Sequence, residues 1–149
     1  MKIKQLIPAF AAILLLSCGK ENPVEPIKPV ASDYTGTVTV VFQENPFDNE
    51  NITVNFTPAE DGKSASLTIQ KIRFVPQMPV TVDVTVPGIQ MESTPEKVVL
   101  SCETTVPLAM GGENPRYTVT NFQGEIVGNE LTFSLNFGDY PTSFKGVKQ

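Results

Sequence analysis

Leu131-Thr132-Phe133-Ser134-Leu135-Asn136-Phe137 alternates apolar and polar residues without a break. A period of two puts every second side chain on one face, so this is a strand with a buried face and a wet face. The same rhythm recurs upstream. Val38, Val40 and Phe42 oppose Thr37, Thr39 and Val41; Ile52, Val54 and Phe56 alternate with Thr53, Asn55 and Thr57. Val80, Val82, Val84 and Val86 alternate with Thr81, Asp83 and Thr85, and Val98-Val99-Leu100 is a shorter apolar run. Half-buried strands of this kind belong to antiparallel sheets. Nothing from Asp33 to Gln149 carries a helical period.

Two places break the alternation by one residue. Between Leu67-Ile69 and Ile72-Phe74, a bulge near Gln70-Lys71 would return the apolar face to the core. A similar slip separates Tyr117-Val119 from Phe122 and Ile126. Asp61-Gly62 and Gly128-Asn129 offer the positive φ that two-residue hairpin turns require. About eight strands joined mostly by short turns describe an up-and-down meander. Eight antiparallel strands close readily into a small barrel without open edges, with a β-sandwich as the alternative.

Ahead of the strands lies a different kind of chain. Lys2 and Lys4 precede an apolar run from Leu6 to Leu16, which is too short for the about 20 residues of a membrane-spanning helix and suits an export signal. The run ends in Leu15-Leu16-Ser17-Cys18, which resembles the bacterial lipobox. That resemblance implies cleavage after residue 17 and a lipid on Cys18, the membrane anchor. Gly19-Lys20-Glu21-Asn22 is similar to the Lys-plus-acid signal that exports Bacteroidota lipoproteins to the outer face of the outer membrane. Cell-surface exposure is the expectation, with the periplasmic face as the alternative. Residues 18–32 then hold the anchor and a tether, with Pro23, Pro26 and Pro29 spaced by three as in polyproline II. Fourteen such residues reach about 40 Å at ~3.1 Å each. The β domain is expected over 33–149.

Charge and composition narrow the function. The whole chain carries −5, and loss of Lys2 and Lys4 with the signal takes it to about −7. An acidic chain with scattered bases does not match phosphate backbones, so no nucleic-acid partner is expected. With no histidine there is no Ser-His or Cys-His pair and no imidazole-ligated zinc.

Candidate chemistry is thin. Cys102 lacks a histidine base and reads as a buried, inert thiol once Cys18 is lipidated. Glu44, Asp48, Glu50 and Asn51 are oxygen-rich but lack calcium-loop spacing, and read as a polar hairpin loop. Glu60-Asp61 read as turn formers and Gly111-Gly112 as a hairpin tip. Met78, Pro79, Pro87, Gly88, Ile89 and Met91 either line a barrel mouth for an apolar ligand or pack in the core. No catalytic residue, metal or cofactor is expected.

Three short motifs carry a family likeness: Tyr34-Thr35-Gly36, the glycine-spaced Gly124-Glu125-Ile126-Val127-Gly128-Asn129-Glu130-Leu131-Thr132-Phe133, and Ser143-Phe144-Lys145-Gly146. Together they resemble the calycin-like (lipocalin-like) β-barrel lipoproteins of Bacteroidota over most of the domain. The resemblance implies a small barrel behind a lipid anchor and brings no ligand residues with it. The chain has no tryptophan, so the Gly-x-Trp floor of true lipocalins is absent. A barrel filled by side chains therefore stands beside a hollow one. The expected role is non-catalytic binding of a small apolar molecule, a glycan or a protein; the alternative is a structural or assembly subunit of an envelope complex or surface appendage.

Overall fold

The structure, a computed structural model, describes residues 25–149. Ten strands follow in order: β1 Ser32–Phe42, β2 Asn45–Pro58, β3 Ser64–Ile72, β4 Val82–Ser93, β5 Val98–Thr105, β6 Leu108–Ala109, β7 Gly112–Glu113, β8 Val119–Val127, β9 Glu130–Phe137 and β10 Tyr140–Lys148. A 3₁₀ turn, Pro115–Tyr117, precedes β8. Eight of the strands form a closed antiparallel barrel in the order β1-β2-β3-β4-β5-β8-β9-β10, with β10 returning to β1. The expected meander is therefore present, with one insertion. β6 and β7 form a small ribbon whose first strand pairs with β4 through Val84↔Ala109 and Thr85↔Leu108.

Alternation places the core as expected. Val38, Val40, Val54, Phe56, Val84, Val86, Leu131, Phe133, Leu135 and Phe137 all point inward and are buried. The β4 pattern does not extend as far as the residues suggest. Its ladder begins at Val82, and Val80 stands 63% exposed in the preceding loop, because β3 ends at Ile72 and leaves Val80 no partner.

Both expected slips are bulges. Lys71 adopts φ 60° where the β3–β4 register shifts, and Asn121 adopts φ 55° where β8–β9 shifts. A third lies on β2 at Asn51, φ 58°, opposite the Gly36–Val38 step. Each carries one residue in the left-handed region, as one type of bulge requires. They bend the strands enough to close a ring of eight.

The hairpins divide by turn chemistry. Gly128-Asn129 joins β8 to β9 in two residues, with Gly128 at φ 60°. Asp61-Gly62 instead sits in the longer loop between Pro58 and Ser64, closed by the Gly62 N–H donating to Ala59 O. The β1–β2 turn has both central residues, Gln43 at φ 52° and Glu44 at φ 68°, in the left-handed region. That is a type I′ geometry, which favours Asn-Gly. Replacing Gln43-Glu44 by Asn-Gly is expected to stabilise the fold by about 1 kcal/mol, read as a higher midpoint in urea unfolding at unchanged slope.

The barrel ends differ. At the base, where β1 enters, Tyr34, Met91, Val98 and Ile126 are buried. At the opposite end, Phe74 leaves β3 yet remains 1% exposed, reaching back into the mouth. Its ring stacks on Tyr117 at 4.3 Å and meets Phe137 edge-on at 5.2 Å and Tyr140 at 6.0 Å. Deeper inside, Phe122, Phe133 and Phe144 stack in series at 5.3 and 5.2 Å. Side chains thus fill this interior along its length.

Candidate functional site

The outer wall carries a feature that arises only when the strands are set in register. Gln90, Ser101, Gln123, Ser134, Ser143, Thr39 and Asp48 are successive cross-strand partners on β4, β5, β8, β9, β10, β1 and β2. All seven point outward and all can hydrogen bond. At 4.7–4.9 Å per strand the row runs about 30 Å around the barrel. Four of the seven are Ser or Thr, whose side chains end close to the backbone, and the wall is hollowed where they meet.

The hollow is an open trough of about 760 Å³, lined by Thr37, Thr39, Ser101, Gln123, Ser134 and Ser143 among others. It continues into a smaller groove of about 330 Å³ that shares Thr39, Ser134 and Ser143 and adds Asn121 and Asn136. On its other side Ser101 and Gln123 also line a groove of about 740 Å³ with Gln90 and Glu103. Thr39 Oγ1 donates to Asp48 Oδ1 at 2.7 Å, which fixes one end of the row.

Charge enters at one margin. Glu125 accepts from Lys97 Nζ at 3.1 Å, and Lys145 Nζ lies 3.8 Å from Glu130. Both pairs are solvent-exposed and contribute little to stability. The trough therefore presents hydroxyls and amides along one margin and two compensated ion pairs along the other, with Val99 and parts of Leu100, Phe133 and Phe144 adding apolar surface to its lining. Its chemistry is multiple hydrogen bonding to a polar ligand, with no nucleophile–base pair in it.

The residues singled out in the sequence are scattered. Cys18 lies outside the described residues. Cys102 faces inward on β5 and packs against the core, but it is half-exposed rather than buried, with Sγ 3.6 Å from Thr104 O. The reason is local. β5 pairs with β4 only through Ser101, and past that point Pro87 and the Gly88 bend carry β4 away. Thr105 Oγ1 bridges the seam by donating to Pro87 O at 3.0 Å.

Glu44 is in the β1–β2 turn, Asp48 holds Thr39, and Asn51 forms the β2 bulge. Asn49 between them is nearly buried and pairs reciprocally with the Arg73 backbone, its Oδ1 accepting at 3.0 Å and its Nδ2 donating at 3.2 Å. Asp61 Oδ1 accepts from the Lys63 N–H at 2.8 Å, an Asx-type turn. No group of three or more His, Cys, Asp or Glu that could hold a metal occurs among the described residues. Ile89 and Met91 are core residues, and Met78 packs on the core while its sulfur accepts the Phe74 N–H at 3.1 Å. The packing reading holds for Ile89, Met91 and Met78, whereas Pro79 and Gly88 are exposed and Pro87 is half-buried.

Gly111 is at the ribbon tip, as expected, and Met110 beside it takes φ 54° while 72% exposed. Leu108, Met110 and Val80 account for three of the six large exposed apolar residues among the described residues, and Leu108 and Met110 line a groove of about 800 Å³ between the ribbon and the β3–β4 wall. Gly111-Gly112 marks the ribbon tip in the sequence, but neither the ribbon's strands nor the polar row can be seen there. A two-residue strand has no period to detect, and the row depends on pairings shifted by two bulges.

Among the described residues no helix is long and apolar enough to cross a membrane. A comparison of the chain with known protein families, characterised proteins and solved structures returns no match. What the site does is therefore argued from its geometry.

Proposed function

We propose that this chain is a lipid-anchored binding protein of the cell envelope, without catalytic activity, that meets its ligand on the outside of a packed barrel. The observation that carries this reading is the wall trough and the unbroken row of hydrogen-bonding side chains that runs along it, on an otherwise side-chain-filled body. The calycin-like likeness and the Cys18 anchor supply its setting. A carried apolar molecule is the least suitable of the three ligand classes, since Phe74, Phe122, Phe133 and Phe144 occupy the interior. A polar ligand lying across several strands suits the row of hydroxyls and amides.

A structural or assembly role has an observation of its own. Among the described residues no strand lies beside the outer edge of β7, and Leu108 and Met110 are exposed on the same ribbon. Edges and apolar patches of this kind serve as joints between chains.

One experiment weighs both readings. The chain is immobilised and offered, separately, cell-wall glycan, surface polysaccharide and solubilised membrane protein from its native host. Retention of one of them by the parent but not by a Ser134→Arg/Ser143→Arg variant, with a loss of at least tenfold, supports binding at the wall. Loss only in a Leu108→Lys/Met110→Lys variant favours assembly through the ribbon. Capture of none of the three by the parent removes the binding reading. The anchor is checked apart from this: Cys18→Ala is expected to move the protein from the membrane to the soluble fraction, and continued retention would remove the anchor.

A further inference from the structure

The segment before β1 does not behave as a free tether. Ile27 N–H donates to Thr94 O at 3.0 Å, and the Ile27 side chain is half-buried against the core at the barrel base. Glu25, Pro26, Lys28, Val30 and Ala31 are exposed, so Ile27, with Pro29, is the contact that seats the segment. The acceptor is prepared for it. Thr94 Oγ1 accepts from the Glu96 and Lys97 amides at 3.2 and 3.1 Å, and Thr94 N–H donates to Lys97 O at 2.8 Å. These bonds close the β4–β5 turn and leave the Thr94 carbonyl to receive Ile27. Pro26 and Pro29 restrict φ beside the contact, so little backbone freedom is lost on docking.

We infer that Glu25–Ala31 is a strap that docks on the barrel base and sets how far the domain stands from its anchor. Docking rests on the contacts above; the reach it controls rests on the anchor reading of Cys18. With the strap seated, the spacer is the eight residues from Gly19 to Pro26, at most about 25 Å long, against about 40 Å when it is released. The seated strap turns the base toward the anchor, so the Phe74 end projects away from the membrane and the wall trough faces sideways. One hydrogen bond and one half-buried side chain make a reversible latch: load on the tether or a competitor at the base would open it.

The test is hydrogen–deuterium exchange on the full chain, parent and Ile27→Asp. The parent is expected to show the Ile27 amide exchanging at least tenfold more slowly than Val30. Ile27→Asp is expected to abolish that difference while the amides of Val38 and Phe133 stay protected. Equal rates at Ile27 and Val30 in the parent would overturn the strap. Reach is read by spin-label distances between Asn22→Cys and Glu113→Cys in a Cys102→Ser background. A longer and broader distribution in Ile27→Asp than in the parent is expected, and identical distributions would overturn the control of reach. The mass of the N-terminal peptide is measured in parallel. An unmodified Cys18 would remove the anchor while leaving the docking result to stand.

Discussion

Gly36→Ala is expected to cost about 4 kcal/mol or more, placing it among the exceptional single substitutions, and at 37 °C the variant should fail to accumulate as folded protein. Gly36 faces into the barrel and pairs with Gly146 across β1 and β10. A Cβ at Gly36 would collide with Lys145 O and Gly146 Cα. Both obstacles are backbone atoms of the neighbouring strand, whose own ladder to β9 prevents retreat. The two strands cross so closely here that the ring turns a corner, which only a residue without Cβ permits.

The neighbouring glycines set the scale. Phe144 covers Gly146, where a Cβ would meet Thr35 O at 2.7 Å and the edge of the Phe144 ring. A Cβ at Gly124 would meet Phe133 Cβ at 2.6 Å and Thr132 O at 2.7 Å. Both should destabilise strongly, by about 2–3 kcal/mol as overpacked sites do, and less than Gly36. Gly112→Ala is the control, since nothing lies within 4 Å of its Cβ position and its φ is not positive. Urea unfolding of the four variants checks the order, and a Gly36→Ala protein within 1 kcal/mol of the parent would disprove the corner.

These glycines show what could be read before the fold was seen. Gly36, Gly124 and Gly146 stand in the three short motifs singled out in the sequence, so their positions were visible and their cause was not. Alternation within Leu131–Phe137 or Ile52–Phe56 is a local property, and the buried faces follow from it directly. The slips at Gln70-Lys71 and before Phe122 were legible for the same reason. Anything requiring a partner strand was not. Val80 continues the valine rhythm perfectly, yet it is exposed because no ladder reaches it. Ile27 lies among prolines spaced as in polyproline II, and only the Thr94 carbonyl, a residue far along the chain, makes it part of the domain. The wall row needs seven strands aligned across two bulges, information that no window of sequence contains.

The distal end follows the same rule and leads to the second large effect. Phe74→Ala is expected to remove about 3–5 kcal/mol, the range for emptying a buried aromatic site. Ile72 and Phe74 look like the close of a strand, but β3 stops at Ile72 and Phe74 arrives from the loop. The loop is fixed on both sides of it. Asn49 pairs with the Arg73 backbone, Arg73 Nε donates to Met78 O at 3.2 Å, and the Phe74 N–H reaches the Met78 sulfur. With its backbone held, the loop cannot sink into the space that the ring vacates, so most of the cavity cost remains. Tyr117 loses its stacking partner and Phe137 its edge contact at the same time, each pair worth about 0.5–1.5 kcal/mol beyond area. Phe74→Leu should recover roughly half the loss, and Val80→Ser, in the same loop but exposed, should change stability by less than about 0.5 kcal/mol. Because the emptied site is apolar and lies at a barrel mouth, Phe74→Ala should also acquire weak affinity for benzene, detectable by ligand-observed NMR and absent from the parent. A loss below 1 kcal/mol with no benzene uptake would mean that the ring is not the plug of this barrel, and the case for a ligand site on the outer wall would weaken with it.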